Sequence, residues 1–312
     1  DIETFKSYFT VSAVDINGVT VSQARLAKIL RTAGTKTVKI SALSGNSKGY
    51  RGSTSVTIKV QGTKLNRNQF TLTYDKAASK AVTSTEYTGK VLVPDIVSSL
   101  IKGKDYTVSY MCGKKAVTEA QIINAGKYSA VIRGINQYNG VVTINFTISP
   151  VNVTKAYVDK RLIITSKGTP TYDAGGANAV YSITYDPDGN EGSVYARTTL
   201  KEQADYTISY KNNKKVTKGK TLAYAVIAGK GNFTGTLKGT GKTSTSGKVG
   251  NGIARELNFS ISKKSLSSKD ISIVVHGITV KGKNTTVKFT LYDKGQKIAA
   301  KEYSSKASAN GS

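Results

Sequence analysis

The feature that most constrains the fold is a six-residue segment that occurs twice in the chain. Residues 105–110 are Asp-Tyr-Thr-Val-Ser-Tyr, and residues 205–210 are Asp-Tyr-Thr-Ile-Ser-Tyr. Because the copies differ by one Val/Ile exchange, they indicate an internal repeat, which determines how the rest of the chain is divided. In each copy two Tyr and one Val or Ile alternate with Thr and Ser, the period-two pattern of a half-buried β-strand.

A second shared pattern, Gly-x-x-x-aromatic-x-Gly, follows each copy of the strand. We interpret it as a tight turn whose aromatic ring folds back against the strands. We expect the Tyr rings of the strand to face the core or the sheet joint, where they pack rather than contact a ligand. Together the two patterns are called the signature, and its residues are Asp105, Tyr106, Tyr110, Tyr138, Gly140, Asp205, Tyr206, Tyr210, Phe233 and Gly235.

The amino-acid composition favours strands over helices. The chain has 18 Tyr and 7 Phe but no Trp and one Met, so its core must be built from aliphatic residues and these rings. Together with Thr, these are the residues enriched in β-strands. Thirty Gly mark many turns. Short alternating strands with frequent turn signals predict an all-β fold of antiparallel β-sandwiches.

Three sets of alternating apolar residues mark the places where repeats join. In each set, three alternating apolar residues are followed, after a short polar joint, by two more apolar residues. The spacing is the same in all three sets. Each set predicts the last strand of one domain, the joint, and the first strand of the next, and such short joints favour a semi-rigid rod. The sets are Val56, Ile58, Val60, Leu65 and Phe70; Ile144, Phe146, Ile148, Val153 and Val158; and Leu257, Phe259, Ile261, Leu266 and Ile271.

These markers divide the chain into four segments. Two of them hold complete repeats, and the second of these is lengthened by a turn and by a Gly/Ser/Thr/Lys stretch at residues 238–252, which we expect to be a mobile loop. The segments are 1–62, the second half of a repeat with a short helix predicted within 19–30; 63–150, a complete repeat; 151–262, a longer repeat with loop insertions; and 263–312, the first half of a repeat.

The inserted turn carries oxygen donors at calcium-loop spacing. They belong to Asp186, Asp188 and Asn190, in the sequence Asp-Pro-Asp-Gly-Asn. The turn lacks the later bidentate Glu and the flanking helices of an EF-hand, and Asp-Gly is also common in hairpin turns. We therefore expect no cofactor, with calcium at this loop as the alternative.

Few residues could support catalysis or a membrane span. His276 is the only histidine and lies at a predicted strand end without an indicated partner, and Cys112 is the only cysteine. Catalytic triads and nucleophile–base pairs need several such groups to converge, so we predict a protein that is not an enzyme. No run of 18 apolar residues is present, which predicts that nothing spans a membrane.

The chain is strongly basic, with 46 Lys and Arg against 19 Asp and Glu and a net charge of +27. One interpretation is a solubilising surface in which Lys protects sheet edges from pairing. The other is affinity for a polyanion such as teichoic acid, an acidic polysaccharide, nucleic acid or anionic lipid. Because Lys outnumbers Arg and no Arg-aromatic cluster is visible, we expect no specific recognition of nucleic acid.

Several motifs together resemble the bacterial immunoglobulin-like repeats of Gram-positive surface proteins. The similarity covers residues 1–262 well and the remaining residues weakly. It implies tandem immunoglobulin-like β-sandwich domains in an elongated rod, used as stalks, spacers or adhesive arms and without catalytic residues. The motifs are Tyr87-Thr-Gly-Lys, the first signature strand, Asn124-Ala-Gly126, Gly134 to Gly140, Asn212-Asn-Lys-Lys and Gly229 to Gly235.

The resemblance implies a non-enzymatic, extracellular structural or adhesion protein, a stalk or display segment on a bacterial cell surface. Expected partners are the bacterial envelope or a host-surface ligand, including an anionic glycopolymer, and neighbouring copies or further repeats of the chain. Its ends look like complementary halves of a repeat, so we consider both a fragment of a longer chain and copies that assemble head to tail. Alternatives are a phage virion protein (capsid decoration or fibre) and a polyanion- or carbohydrate-binding module.

Overall fold

The computed structural model describes residues 8–13, 23–75, 77, 80–189, 197–243 and 252–303. They are mostly β-strands (48%) arranged in several antiparallel sheets with few helices, which confirms the all-β prediction. The chain separates into two compact units, Asp1–Ser149 and Pro150–Ser312.

Unit 1 begins with a three-stranded antiparallel sheet in the order β1-β2-β3. A short helix, α1, lies within the segment predicted to be helical, whose first residues fall outside the described part of the chain. Ile29 and Leu30 of α1 pack into one apolar cluster with Val11 of β1. The elements are β1 (Phe9–Ala13), α1 (Gln23–Leu30), β2 (Gly34–Ala42) and β3 (Ser53–Val60).

The rest of unit 1 contains a five-stranded sheet in the order β6-β12-β10-β8-β9, a two-stranded sheet β5-β7 and a parallel pair β4-β11. The elements are β4 (Thr63–Lys64), η1 (Arg67–Gln69), β5 (Thr71–Thr73), β6 (Ser84–Glu86), β7 (Asp95–Val97), β8 (Tyr106–Cys112), β9 (Lys115–Val117), η2 (Glu119–Gln121), β10 (Gly126–Gly134), β11 (Tyr138–Asn139) and β12 (Val141–Ser149).

The core of unit 1 lies on one face of the five-stranded sheet. Alternate residues of β12 are buried, as expected for a strand with one solvent face. Phe146 stacks on Tyr128, with ring centroids 5.5 Å apart, and meets Tyr74 and Tyr110 edge-on. Three apolar residues that precede β6 complete this core, namely Leu65, Phe70 and Leu72.

Unit 2 contains a three-stranded antiparallel sheet, β14-β15-β16, a four-stranded antiparallel sheet of order β17-β18-β20 in which β21 also pairs with β18, and a parallel pair β13-β19. The elements are β13 (Val151–Asn152), α2 (Val153–Val158), β14 (Leu162–Ser166), β15 (Tyr181–Tyr185), β16 (Thr198–Thr199), β17 (Tyr206–Lys211), β18 (Ala223–Gly229), β19 (Phe233–Thr234), β20 (Thr236–Lys238), η3 (Arg255–Leu257) and β21 (Asn258–Phe259).

The apolar faces of these sheets are buried within residues 151–262, which we call the second module; residues 63–149 of unit 1 are the first module. Tyr185 of β15 meets Phe233 of β19 edge-on, and the Tyr181 hydroxyl donates a hydrogen bond of 3.1 Å to the Leu257 carbonyl. Unit 2 then continues into a long hairpin, in a sheet of order β22-β23-β24. The last elements are β22 (Ile271–Lys281), β23 (Asn284–Asp293), β24 (Gln296–Lys297) and η4 (Ala300–Glu302).

The residues after two of the three joints form helical turns, where the apolar spacing predicts strands. The Asn152 side chain accepts hydrogen bonds from the backbone N–H groups of Thr154 and Lys155, and so caps α2. At the earlier joint, Asn66 forms a capping box with Gln69 at η1. Asn caps satisfy N–H groups that have no partner inside a helix, so these caps outweigh the strand-like spacing.

The Gly/Ser/Thr/Lys stretch also differs from the expected mobile loop over its first residues. A Cβ atom at Gly239 would lie 2.6 Å from Cβ of Tyr224, and the Gly241 N–H donates a 2.9 Å hydrogen bond to Asn258 Oδ1. The glycines therefore let this backbone pack closely on its neighbours. Residues 244–251 of the stretch lie outside the described residues.

Candidate functional site

Both copies of the signature begin with the same loop. Asp105 Oδ2 accepts a hydrogen bond of 2.8 Å from the Ile101 N–H, and Asp205 Oδ2 accepts one of 2.9 Å from the Lys201 N–H. The backbone N–H of Asp105 also donates to the Ile101 carbonyl, and that of Asp205 donates to the Lys201 carbonyl, both at 2.8 Å. Each Asp side chain therefore stabilises the loop before its strand by hydrogen bonding to the backbone.

The signature tyrosines pack or form hydrogen bonds inside their own modules. Tyr106, Tyr110 and Tyr206 are buried, and the Tyr106 ring meets Phe70 edge-on. Tyr210 is half-buried, and its hydroxyl donates a 2.7 Å hydrogen bond to a backbone carbonyl. Burial raises the pKa of Tyr110 to about 12, helped by the charge of Glu119 and a hydrogen bond to it. The phenols are therefore neutral structural groups at physiological pH.

The signature endings form matching tight turns. The Gly134 N–H donates to the Gly140 carbonyl at 3.0 Å, and the Gly229 N–H donates to the Gly235 carbonyl at 2.9 Å. A Cβ atom at Gly134 would lie 2.8 Å from the backbone N of Asn139, so this close approach requires glycine. The last Gly of each ending has a positive φ, at +86° and +84°.

The aromatic residue of each ending lies in a short strand that holds the first strand of its module. β11, with Tyr138, pairs in parallel with β4, and β19, with Phe233, pairs in parallel with β13. The Phe233 ring is buried, as expected of a plug, whereas the Tyr138 ring is half-buried. Each ending thus fastens the beginning of its module to a segment near its end.

The inserted turn holds Asp186 in an ion pair. Its Oδ2 lies 3.1 Å from Arg197 Nε, and its Oδ1 accepts a 3.2 Å hydrogen bond from the Gly189 N–H. Asp188 lies on the same turn, and Asn190 is outside the described residues. In the part of the chain that the structure describes, no three His, Cys, Asp or Glu side chains form a group that could hold a metal ion. The carboxylate of Asp186 is already engaged by Arg197.

The two residues considered for catalysis are both exposed. His276 is the extra residue of a β-bulge in β22, and its Nε2 lies 2.8 Å from Thr290 Oγ1. Cys112 is a free thiol at the end of β8. Each is placed as a strand residue in its own unit.

The β22-β23 hairpin carries an apolar surface that sequence reasoning missed. Directly opposite residues of an antiparallel pair lie on the same face of the sheet. By register, Ile273, Val275 and Ile278 oppose Leu291, Phe289 and Val287. Because the bulge adds one residue to β22, Val275 and Ile278 lie on the same face although they are three positions apart. Apolar residues before and after the bulge therefore share one face. We call this surface the hairpin face; it comprises Ile273, Val275, Ile278, Val280, Val287, Phe289 and Leu291.

Most of the hairpin face is exposed. Ile273, Ile278 and Val280 are 62%, 65% and 67% exposed, whereas Leu291 at its base is buried. Isolated exposed apolar residues are normal on a protein surface, but a continuous row on one sheet face marks an interaction surface. The sequence signal was present in the β-branched residues of β22, but the bulge breaks their alternation by one position.

Ion pairs fix the base of this hairpin. Lys264 Nζ lies 2.7 Å from Asp293 Oδ1 and 3.0 Å from Asp270 Oδ2, and a further ion pair joins Lys294 to Asp173. The hydrogen bond to Asp293, with that to Asp270, raises the pKa of Lys264. These ion pairs tie the base of the hairpin to residues before β22 and, through Asp173, to an earlier segment of unit 2.

Sheet β14-β15-β16 shows what an equivalent surface looks like when covered. It has the same three-stranded antiparallel order as β22-β23-β24. Its inward residues Leu162, Ile164 and Ile183 are buried. At the base of the hairpin face the Tyr303 ring packs on Phe289, with ring centroids 5.6 Å apart. Among the described residues, no second sheet covers the exposed residues Ile273, Ile278 and Val280.

Comparison with protein-family models, curated proteins and solved structures found no match to this chain. No helix within the described ranges is long and apolar enough to cross a membrane. The candidate site therefore rests on its own geometry.

Proposed function

We propose that this chain is a non-enzymatic structural protein of a bacterial surface, a stalk or display segment built of tandem immunoglobulin-like sandwich modules in an elongated rod. The observation that supports a mechanical role is the parallel pairing in both modules. β4 pairs with β11 in one, and β13 pairs with β19 in the other. In each case the first strand of a module is joined to a segment near its end.

This arrangement resists pulling. In a parallel pair, tension draws the first strand toward its amino end and the later strand toward its carboxyl end, so their hydrogen bonds are sheared together rather than opened one by one. The Thr63 N–H donates to the Gln137 carbonyl at 2.8 Å, and the Leu65 N–H donates to the Asn139 carbonyl at 2.9 Å. In the second module, the Val151 N–H donates to the Asn232 carbonyl at 2.9 Å.

Single-molecule stretching from the two ends of the chain tests this role. We expect two main unfolding events, one for each unit. Thr63→Pro removes the N–H that bonds to Gln137, because proline has no backbone donor. It should lower the rupture force of unit 1 and leave that of unit 2 unchanged.

In each molecule, the unfolding of unit 2 is thus an internal control for the unfolding of unit 1. Equal rupture forces for the wild type and Thr63→Pro would show that the parallel pair bears no load and would refute the proposed role. Urea unfolding of both proteins separates a lower rupture force from a general loss of stability.

A second candidate function is binding of an anionic glycopolymer. It is favoured by a dense group of exposed lysines at the end of β17 and in the loop after it, in a region, residues 206–243, without Asp or Glu. Such a group attracts polyanions over a distance set by the ionic strength. The lysines are Lys211, Lys214, Lys215, Lys218 and Lys220.

Neutralising three of these lysines should weaken binding to teichoic acid. For Lys214→Gln, Lys215→Gln and Lys218→Gln together, we expect the slope of log affinity against log salt to fall by about 2–3, because each contacting lysine contributes about 0.7–0.9. The matched control neutralises three exposed lysines of unit 1, namely Lys104, Lys114 and Lys115.

Binding measured by calorimetry over a range of salt concentrations distinguishes the two variants. Equal losses in both would indicate a general effect of net charge without a site. Absence of binding by the wild type at low salt would eliminate this candidate.

A further inference from the structure

We propose that the hairpin face is an interface between two copies of this chain, which lay these faces against each other around a two-fold axis. This inference goes beyond the stalk role and does not depend on it. It would join two chains side by side at their β22-β23 hairpins.

The chemistry of the face suits burial against a second copy. Ile273, Ile278 and Val280 are more than half exposed, with Val275 at 57% and Val287 at 39%. The exposed part of the face carries no charged side chain, and Asp293, which lies on the same side at the base, is buried and paired with Lys264. Two copies can therefore bury the exposed part without leaving an ion unpaired. A surface of uniform character is also self-complementary, which is what a two-fold interface requires.

The size of the face allows only a weak interface. Its exposed apolar stretch, from Ile273 to Val280, is about 27 Å long, and two strands with their side chains are roughly 12 Å wide. Two faces together therefore bury on the order of 650 Å², below the standard size of a specific interface and in the range of weak, transient contacts. This area supports a weak, concentration-dependent dimer rather than a permanent one.

An equivalent sheet in the same chain shows how such a face is covered. The inward face of β14-β15-β16 is buried within a module that contains a second antiparallel sheet, and stacked sheets pack about 10 Å apart. A second hairpin face offers the same kind of layer. The sheet β1-β2-β3 of another copy is less suitable, because Ile29 and Leu30 of α1 pack in the cluster that contains Val11 of that sheet. Head-to-tail assembly would require α1 to move.

Charge predicts how this dimer responds to salt. The hairpin residues 271–292 include Lys281, Lys283 and Lys288 but no Asp or Glu. Two copies therefore repel each other as they approach, and added salt screens this repulsion. Burial of apolar surface is not weakened by screening, so dimerisation should strengthen as the salt concentration rises. An interface held by ion pairs would show the opposite trend.

Sedimentation velocity of the 312-residue chain, over a range of protein and salt concentrations, tests the proposal. We expect a monomer–dimer equilibrium that shifts toward the dimer with added salt. Ile278→Thr with Val280→Thr keeps the β-branched shape but removes apolar surface, and should raise the dissociation constant by about tenfold or more. Val274→Thr is the matched control, since Val274 lies on the opposite face of β22 and is 44% exposed.

Far-UV circular dichroism confirms that each variant is folded, and the single change Ile278→Thr provides a milder second test with an intermediate effect. A chain that stays monomeric at every concentration and salt level would overturn the proposal. So would a ladder of larger oligomers, a dimer that salt dissociates, or a dimer that resists the double change while responding to Val274→Thr. None of these results bears on the stretching experiment, so the two proposals fail independently.

Discussion

Replacing Phe146 with alanine should lower the free energy of unfolding of unit 1 by about 3–5 kcal/mol, the cost of removing a buried aromatic ring and leaving a cavity. Phe146 is 1% exposed and is surrounded by the rings of Tyr74, Tyr110 and Tyr128. Those rings come from different segments, so the cavity cannot close by a movement of one strand. Urea unfolding followed by far-UV circular dichroism measures the change.

Val141→Ala is the matched control for this prediction. Val141 begins the same strand, β12, but is 47% exposed. Its truncation should change the free energy of unfolding by about 0.5 kcal/mol or less. If Phe146→Ala costs no more than Val141→Ala, the ring cluster is not the centre of this core.

Raising the pH above 10 should unfold the protein, with the main loss of stability between pH 10 and 12. An unfolded tyrosine has a pKa of 10.0, whereas burial first, and then Glu119, raises the pKa of Tyr110 to about 12. Above pH 10 the unfolded chain therefore loses phenolic protons that the folded chain keeps, and linkage favours unfolding. Below pH 10 both states hold these protons, so stability is fully present there. Burial acts in the same direction on Tyr74, Tyr106, Tyr128, Tyr181, Tyr206 and Tyr210.

Tyrosinate absorbance and far-UV circular dichroism, followed together during a pH titration, check this prediction. Both signals should change in one transition. Tyr110→Phe should make the loss of stability with pH shallower, whereas Tyr50→Phe, at a ring that is 54% exposed, should leave the profile unchanged. Full ionisation of the phenols without loss of strand signal would contradict the assignment of a tyrosine-rich core.

The sequence was informative wherever local pattern and packing agree. The alternation around Tyr106 predicts a strand with buried rings, and the Gly-x-x-x-aromatic-x-Gly pattern predicts a tight turn; both copies form these features. The pattern did not reveal the roles of Asp105 and Asp205, because each accepts a hydrogen bond from a backbone N–H group four residues earlier, and any residue type can supply that group. The helical turns after Asn66 and Asn152 were missed because apolar spacing was given more weight than capping.

The hairpin face shows a different limit of sequence reasoning. Alternating β-branched residues predict a strand with one apolar side, but the alternation does not say whether a second layer covers that side. The bulge at His276 also hides the continuity of Val275 with Ile278, because one extra residue reverses the apparent side of every later position. Only the register of β22 against β23 shows that these residues form a single surface.

Under the proposed tandem architecture, the parallel pairing of β4 with β11, and of β13 with β19, has a consequence for how a chain of repeats would grow by duplication. Both partners of each pair lie within one of the segments 63–150 and 151–262, so a copying event with breakpoints at the segment boundaries, just before β4 and β13, would carry a complete set of contacts. A breakpoint elsewhere would separate a first strand from the ending that holds it. Under that proposal, gene segments cut at these boundaries would be the units that can be added or lost while each remaining first strand keeps its pairing partner.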